Sequence, residues 1–326
     1  MKAIVYTKYG PPDVLQFKEV EKPGPNDGEI LVKIHAASAN PLDWHLIRGA
    51  PFLARLAGGL LKPKDPRPGA DLAGQVEAVG SNVTQFQPGD EVFGAWMGSF
   101  AEYTSVPENR LALKPTKSSF EEAAAVPVAA ITALQGLRDK GRIQSGQKVL
   151  VNGASGGVGT FAVQIAKAFG AEVTGVCSTR NLEMVRSIGA EHVIDYMQED
   201  FTKNGQHYDL IYDAVGNRSV SAYKRALNPN GTCVIAGFQN LPRLFEHMIL
   251  GPLRSKAGNK KVGLMGIAKP NQKDLVFVKE FLEAGKVVPV IDRRYPLREV
   301  PEAIRYLEEG HARGKVVITV NQNNNT

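Results

Sequence analysis

The sequence predicts an α/β protein of two domains, a small β-domain joined to a doubly wound, parallel six-stranded sheet. Three observations carry that expectation. Residues 1–120 hold short alternating apolar runs broken by Gly and Pro, the pattern of half-buried strands and tight turns. From near Ser119 to about residue 268, apolar strands alternate with amphipathic helical stretches, the order that builds parallel sheets. Within that stretch one strand runs directly into a glycine cluster that opens a helix. At 326 residues the chain is also long for a single core.

In the first domain Glu29–Ile34, Gln75–Val79 and Asp90–Phe93 read as strands. They are separated by turn chemistry at Pro23-Gly24-Pro25, Asn26-Asp27-Gly28 and Pro88-Gly89-Asp90. Ser119, with Glu122 three residues on, forms a capping box that starts a helix. The six strands of the sheet are expected at Lys148–Asn152, Glu172–Cys177, His192–Asp195, Leu210–Asp213, Thr232–Ala236 and Val262–Ile267. Helices at Asp274–Ala284 and Val300–Glu309 and a strand at Lys315–Val320 follow, and the polar tail Asn321–Thr326 is expected to fray. The insert 51–68, PFLARLAGGLLKPKDPRP, has three open readings: a short helix, a lid, or part of a subunit surface.

Composition narrows the function classes. With 43% hydrophobic and 22% charged residues the chain fits a soluble globular protein. No run reaches the roughly 18 apolar residues of a membrane span, and MKAIVYTKYGPP lacks the apolar core of a signal peptide, so no membrane partner and a cytoplasmic location are expected. The net charge of +6 is spread along the chain, with its densest basic runs at Lys62–Arg67, Arg254–Lys261 and Arg293–Arg298. Such scatter suits solubility or an anionic cofactor, and no nucleic-acid partner is expected. Two cysteines, Cys177 and Cys233, at the ends of apolar runs read as buried small hydrophobes.

The cofactor site is the most informative segment. The strand Lys148–Asn152 leads into Gly153, Ala154, Ser155, Gly156, Gly157, Val158 and Gly159. A helix follows with Val158, Ala162, Ile165, Ala166 and Phe169 on one face and Gly170 at its end. Glycines there allow a tight turn and close backbone approach to a pyrophosphate, which rests on unpaired N–H groups at the helix N-terminus. A preference for NADH needs an acidic residue at the end of the second strand, about twenty residues on. Here that end reads Cys177-Ser178-Thr179-Arg180-Asn181, with no carboxylate. Ser178 can donate to a phosphate and Arg180 can pair with one, so NADPH is expected; the other reading of Arg180 is a helix cap.

Taken together, these segments resemble the medium-chain dehydrogenase/reductase superfamily, in its zinc-independent quinone oxidoreductase branch. The resemblance spans nearly the whole chain. It is carried by the opening MKAIVYTKYGPPDVLQ, Asn40-Pro41-Leu42-Asp43, residues 68–94, residues 124–134, NGASGGVG, and the closing residues 310–320. It implies a GroES-like β-domain over 1–123, a Rossmann domain over 124–268, a return to the first domain over 269–326, and an active-site cleft between the two. The superfamily's zinc enzymes carry metal ligands where this chain has Asn40, Ala70 and Val128, so a metal-free site is expected.

Without a Lewis acid the hydride acceptor must already be electrophilic, which favours quinones, enones and enals. The resemblance points to Asn40, Asp43, His45 and Thr132 as candidate catalytic residues. Each has a plainer reading: a turn residue before Pro41, a loop-holding carboxylate, a surface histidine and an ordinary helix residue. Tyr196 matches an adenosine-side aromatic or simply ends a strand, and Gly237-Phe238 follows the fifth strand where ligands meet the sheet edge. Lys315 matches a phosphate-side basic residue or is a solvated lysine. Trp96, Met97 and Phe100 line a substrate slot or pack the core. The expected protein is therefore an NADPH-dependent quinone or enone/enal reductase. The alternatives are a zinc-free ketone or aldehyde reductase and a non-catalytic NADPH-binding protein. The family expectation is a homodimer that pairs Val262–Ile267 across a two-fold axis.

Overall fold

The computed structural model describes residues 1–52, 55, 59–256 and 259–320, with the side chains of 252–256 outside that description. Residues 53–54 and 56–58 of the 51–68 insert and the tail 321–326 therefore lie outside the described residues. Chain contacts divide the molecule into one unit of residues 1–129, 270–283 and 289–326, and a second of 130–269 and 284–288. The first seam falls six residues beyond the expected 123/124, and the short piece 284–288 joins the second unit. Gln164 accounts for that piece. Its amide donates to the Val288 carbonyl at 3.0 Å and accepts the Val288 N–H at 2.8 Å, replacing backbone pairing the loop lacks.

The first unit is built on strand β3 (Glu29–Ala39), eleven residues long. Strands β1 (Lys2–Val5) and β2 (Gln16–Glu19) form a separate antiparallel pair. The larger sheet adds β4 (Asp71–Val79), β5 (Glu91–Ala95), β6 (Tyr103–Pro107) and β7 (Leu111–Leu113), then β14 (Ile291–Pro296) and β15 (Lys315–Thr319) from the end of the chain. β3 pairs with β4, β6 and β15, all antiparallel. In its first half Ile30, Val32 and Ile34 are fully buried on one face, with Leu31 buried and Lys33 half-buried on the other. Its second half is Ala and Ser and is buried on both faces.

Register is what positions the candidate site in this unit. Ser38 of β3 lies opposite Asp71, the first residue of β4. Ala39 lies opposite Val316, so Lys315, the first residue of β15, arrives beside Asn40. Asn40 then caps helix α1 (Pro41–Arg48), whose Pro41 occupies the first turn where no N–H is needed. Gly49 ends the helix in the left-handed region at φ 58°.

Two short helices, α2 (Phe120–Ala124) and α3 (Pro127–Leu134), lead to the second unit. The Ser119 capping box forms as expected, with the Glu122 N–H on Ser119 Oγ at 3.2 Å and the Ser119 N–H on Glu122 Oε2 at 2.8 Å. The second unit's sheet comprises β8 (Lys148–Asn152), β9 (Glu172–Cys177), β10 (His192–Asp195), β11 (Tyr208–Asp213), β12 (Leu227–Ile235) and β13 (Lys261–Leu264). All are parallel, in the order β10-β9-β8-β11-β12-β13, which is the doubly wound order with its switch point between β8 and β11.

Helix α4 (Gly157–Ala168) follows the glycine cluster, and its burial is wider than the expected single face: Phe161 through Ala166 are all buried. Helices α5 (Leu182–Ser187) and α6 (Val220–Ala226) cover the sheet, and α7 (Leu241–Lys256) occupies a stretch whose periodicity defined no element. Strand β13 stops at Leu264, short of the expected Ile267, whose side chain is 87% exposed. Helices α8 (Gln272–Glu283) and α9 (Val300–Glu308) lie within two residues of their expected ends. Among the described residues no helix is long and apolar enough to cross a membrane.

Candidate active site and cofactor cradle

At the end of β3 four polar side chains are buried together. Asp71 is fully buried, and its two carboxylate oxygens accept four donors. These are Ser38 Oγ at 2.7 Å, Asn40 Nδ2 at 2.9 Å, Lys315 Nζ at 3.2 Å and the Val128 N–H at 2.8 Å. Lys315 is 2% exposed and also donates to Asn40 Oδ1 at 2.5 Å. The Asn40 amide is thus engaged at both ends within the unit. Lys315 is neither solvated nor offered to solvent, because its charge is spent on Asp71 and Asn40. Burying an ion pair is costly unless its remaining valences are met, and here hydroxyl, amide and backbone N–H meet them.

Asp43 sits one turn into α1 and is 1% exposed. Its Oδ2 accepts the Asn40 N–H at 2.7 Å, while Oδ1 has no hydrogen-bond partner among the described residues. Burial pushes its carboxyl up to about 7; the Asn40 N–H pulls it down, Asp71 raises it and Lys315 lowers it. His45, half-buried on the same helix, stacks on Trp44 with ring centroids 3.6 Å apart. Its Nδ1 lies 2.8 Å from the Ala50 carbonyl, and burial lowers its pKa, so the neutral imidazole is favoured. Phe100 belongs to the apolar core of this unit, which answers the slot-or-core alternative for it, while Trp96 is partly buried against a neighbouring core cluster.

In the second unit the carboxyl ends of the strands converge on the glycine loop. The Gly153 and Ala154 N–H groups both donate to the Val176 carbonyl of β9, which pins the loop to the sheet. Gly153 takes φ 81°. A Cβ on Gly159 would stand 1.9 Å from the Gly153 carbonyl oxygen, so only glycine permits this approach of helix and loop. A second close approach lies between the ends of β11 and β12, where a Cβ on Gly237 would meet the Ala214 carbonyl oxygen at 2.1 Å. Phe238 follows it half-buried. Gly156 caps α4, and Gly157 and Val158 form its first turn with half-buried side chains or backbone.

Ser178 begins the turn after β9, Arg180 is exposed on that turn, and Tyr196 is half-exposed after β10. Thr132 is in α3 and its carbonyl accepts the Tyr212 hydroxyl at 3.3 Å. The Asp195 carboxylate lies at the end of β10, opposite Cys177 in the register. Its oxygens are taken by the Thr179 hydroxyl at 2.5 Å and the Met197 N–H at 3.0 Å.

Several polar residues of the sites escaped the sequence reading. Asp213, fully buried at the end of β11, accepts Asn152 Nδ2 at 3.0 Å, the Val215 and Gly216 N–H groups at 2.7 Å each, and the Tyr223 hydroxyl at 2.5 Å. It thereby fixes the loop at the switch point. The available signal was a polar residue ending an otherwise apolar parallel strand, as both Asn152 and Asp213 do. Asn181, which bonds Ser155 and Ser178, gave no such signal. Ser38 and Asp71 are identified only by the register of β3 on β4.

Known proteins resemble this chain along nearly its whole length. Residues 26–116 match the alcohol dehydrogenase GroES-like domain, and residues 188–318 match a family described as zinc-binding dehydrogenase. The 2-methylene-furan-3-one reductase of Solanum lycopersicum is 38% identical over 98% of this chain and 79% of its own length. The chloroplastic NADPH-dependent alkenal/one oxidoreductase of Arabidopsis thaliana is 34% identical, over 98% of this chain and 79% of its own. Among solved structures, Escherichia coli quinone oxidoreductase complexed with NADPH superposes with a TM-score of 0.83 and 26% identity, covering 98% of this chain and 100% of that one. Similarity of this extent, on a glycine cradle at a doubly wound switch point, means that the chain belongs to the medium-chain dehydrogenase/reductase superfamily, in its quinone oxidoreductase branch.

Proposed function

We propose that this protein is an NADPH-dependent reductase of quinones and α,β-unsaturated carbonyls that works without zinc. The observation that carries the cofactor assignment is the cradle at the carboxyl edge of the second sheet. Its backbone approaches are closed to any Cβ at Gly159 and Gly237, and its β9 end presents Ser178 and Arg180 while the nearby Asp195 carboxylate is already engaged. Loop and helix N-terminus suit a pyrophosphate, and hydroxyl with guanidinium suits a ribose phosphate. The bound nucleotide supplies the hydride.

The protein's own residues hold and orient. Asp213 fixes the loop over the switch point, and Gly153 and Gly159 bring α4 against the sheet. In the first unit, Lys315, Asn40 and Asp71 lock the ends of three strands and the start of α1, the helix that carries His45. The zinc-free reading is supported by the donor set. Ala70 and Val128 offer no ligand atoms, and Asp71 already neutralises an ammonium and accepts three further donors. A protein without a Lewis acid depends on an acceptor that is electrophilic in itself, as quinones and enones are. The names of the tomato, Arabidopsis and E. coli relatives support the same substrate class. The homodimer remains part of the proposal, supported by β13 standing at the sheet edge with one partner strand, as does a cytoplasmic location.

The test is NADPH consumption with phenanthrenequinone and with a 2-alkenal, before and after EDTA. Turnover of either substrate that survives the chelator is expected. Turnover of neither, or loss of activity on chelation, would overturn the proposal.

A further inference from the structure

After β9 the side chain of Asn181 is 5% exposed and holds two hydroxyls at once. Its Nδ2 donates to Ser155 Oγ at 3.0 Å and to Ser178 Oγ at 3.2 Å. Ser155 belongs to the glycine loop and Ser178 to the turn that follows β9. One amide therefore ties the segment assigned to the pyrophosphate to the segment assigned to the ribose phosphate. A serine hydroxyl has one proton to give and two lone pairs to offer. Each of these serines receives an N–H on its oxygen, so neither gives its proton to Asn181, and each keeps it for an acceptor elsewhere. The Asp195 carboxylate does not claim them, because it is held by Thr179 and Met197. Asn181 Oδ1 is in turn a buried acceptor with no donor among the described residues, a condition that calls for a partner.

We infer that Asn181 is a positioning residue that sets the preference for a 2′-phosphorylated nucleotide. Its amide turns the Ser178 hydroxyl to donate to the 2′-phosphate and the Ser155 hydroxyl to donate to the pyrophosphate, and its Oδ1 accepts a hydroxyl proton from the nucleotide. This rests on the NADPH assignment made above and extends it to a residue that touches the phosphates only through two others.

The experiment is equilibrium binding of NADPH and of NADH to the full chain by protein fluorescence, with the unfolding temperature of the nucleotide-free protein as a second readout. The variants are Asn181→Leu, Asn181→Ser, Ser178→Ala and the double variant Asn181→Leu with Ser178→Ala. Wild type is expected to bind NADPH more tightly than NADH. Asn181→Leu is expected to lower that affinity ratio about tenfold, the scale of one hydrogen bond to a charged group. Ser178→Ala should lower it comparably, and the double variant should fall little further, because the two residues act as one unit. Asn181→Ser, a smaller polar replacement, should lower the ratio in the same direction and serves if the leucine variant does not fold. Equal losses for both nucleotides in Asn181→Leu, or an effect that adds fully to Ser178→Ala, would overturn the inference and leave the NADPH assignment standing. A wild type that binds neither nucleotide, or shows no preference between them, would overturn that assignment and the inference with it.

Discussion

The Lys315 ammonium donates to Asn40 Oδ1 at 2.5 Å across 275 residues of sequence, and the same nitrogen pairs with Asp71 at 3.2 Å. Asn40 is thereby oriented from both sides, since its Nδ2 donates to Asp71 in return. The amide named among the candidate catalytic residues also links β3, β4 and β15. The charge that balances Asp71 comes from the closing strand of the unit.

Removing that ammonium is expected to be expensive. Lys315→Met leaves the Asp71 carboxylate buried without its counter-charge, and breaking such a pair typically costs about 3–5 kcal/mol. Urea unfolding should show this loss, with Lys315→Met plus Asp71→Asn recovering part of it. A single-variant loss below about 1 kcal/mol would mean that the pair contributes little to holding the strand ends together.

Asp43 predicts a pH signature. Its carboxyl is raised by burial from an ordinary 3.8 to about 7 in the folded protein. Between those values the folded state keeps a proton that the unfolded chain has released. The stability it contributes is present below about pH 4 and is lost as pH rises through about 7. Asp43→Asn has nothing to ionise, so relative to wild type it should gain roughly 2 kcal/mol between mildly acid and mildly alkaline pH. Parallel stability curves for the two proteins across that range would contradict the assignment.

Gly159→Ala and Gly156→Ala should separate two roles of the loop glycines. The first places a Cβ 1.9 Å from the Gly153 carbonyl oxygen; the second meets nothing nearer than 3.5 Å. Gly159→Ala is expected to lower the unfolding temperature and to weaken NADPH by more than about tenfold, because loop and helix must part. Gly156→Ala should keep an unfolding temperature much closer to wild type. Similar unfolding temperatures for the two would argue against the close approach.

Tyr223→Phe removes one of the donors on the buried Asp213 carboxylate while keeping the ring. A loss of about 1–3 kcal/mol is expected from the carboxylate left one partner short. NADPH affinity should fall with it if Asp213 holds the Val215–Gly216 loop as its hydrogen bonds indicate. Calorimetric unfolding and nucleotide titration on the same sample would check both.

The sequence by itself determined what depends on neighbours along the chain. The alternation that makes β8, β9 and β10, the capping box of Ser119 and Glu122, and the order of strand, glycines and helix at Lys148–Ala168 are all local patterns, and each appears in the structure within a few residues of its expected place. Helix α7 escaped the sequence reading although Leu241, Phe245, Met248 and Ile249 recur at helical spacing, because Pro242, Gly251 and Pro252 interrupt the stretch with residues that disfavour a helix. Only the tertiary structure decided the chemistry of the polar sites. Register on β3 brings Ser38 opposite Asp71 and Lys315 beside Asn40, and the ends of neighbouring parallel strands bring Asn152 to Asp213. Burial then makes each of those contacts matter, because a charge or amide taken from water must find its partner in the fold, whatever its distance along the chain.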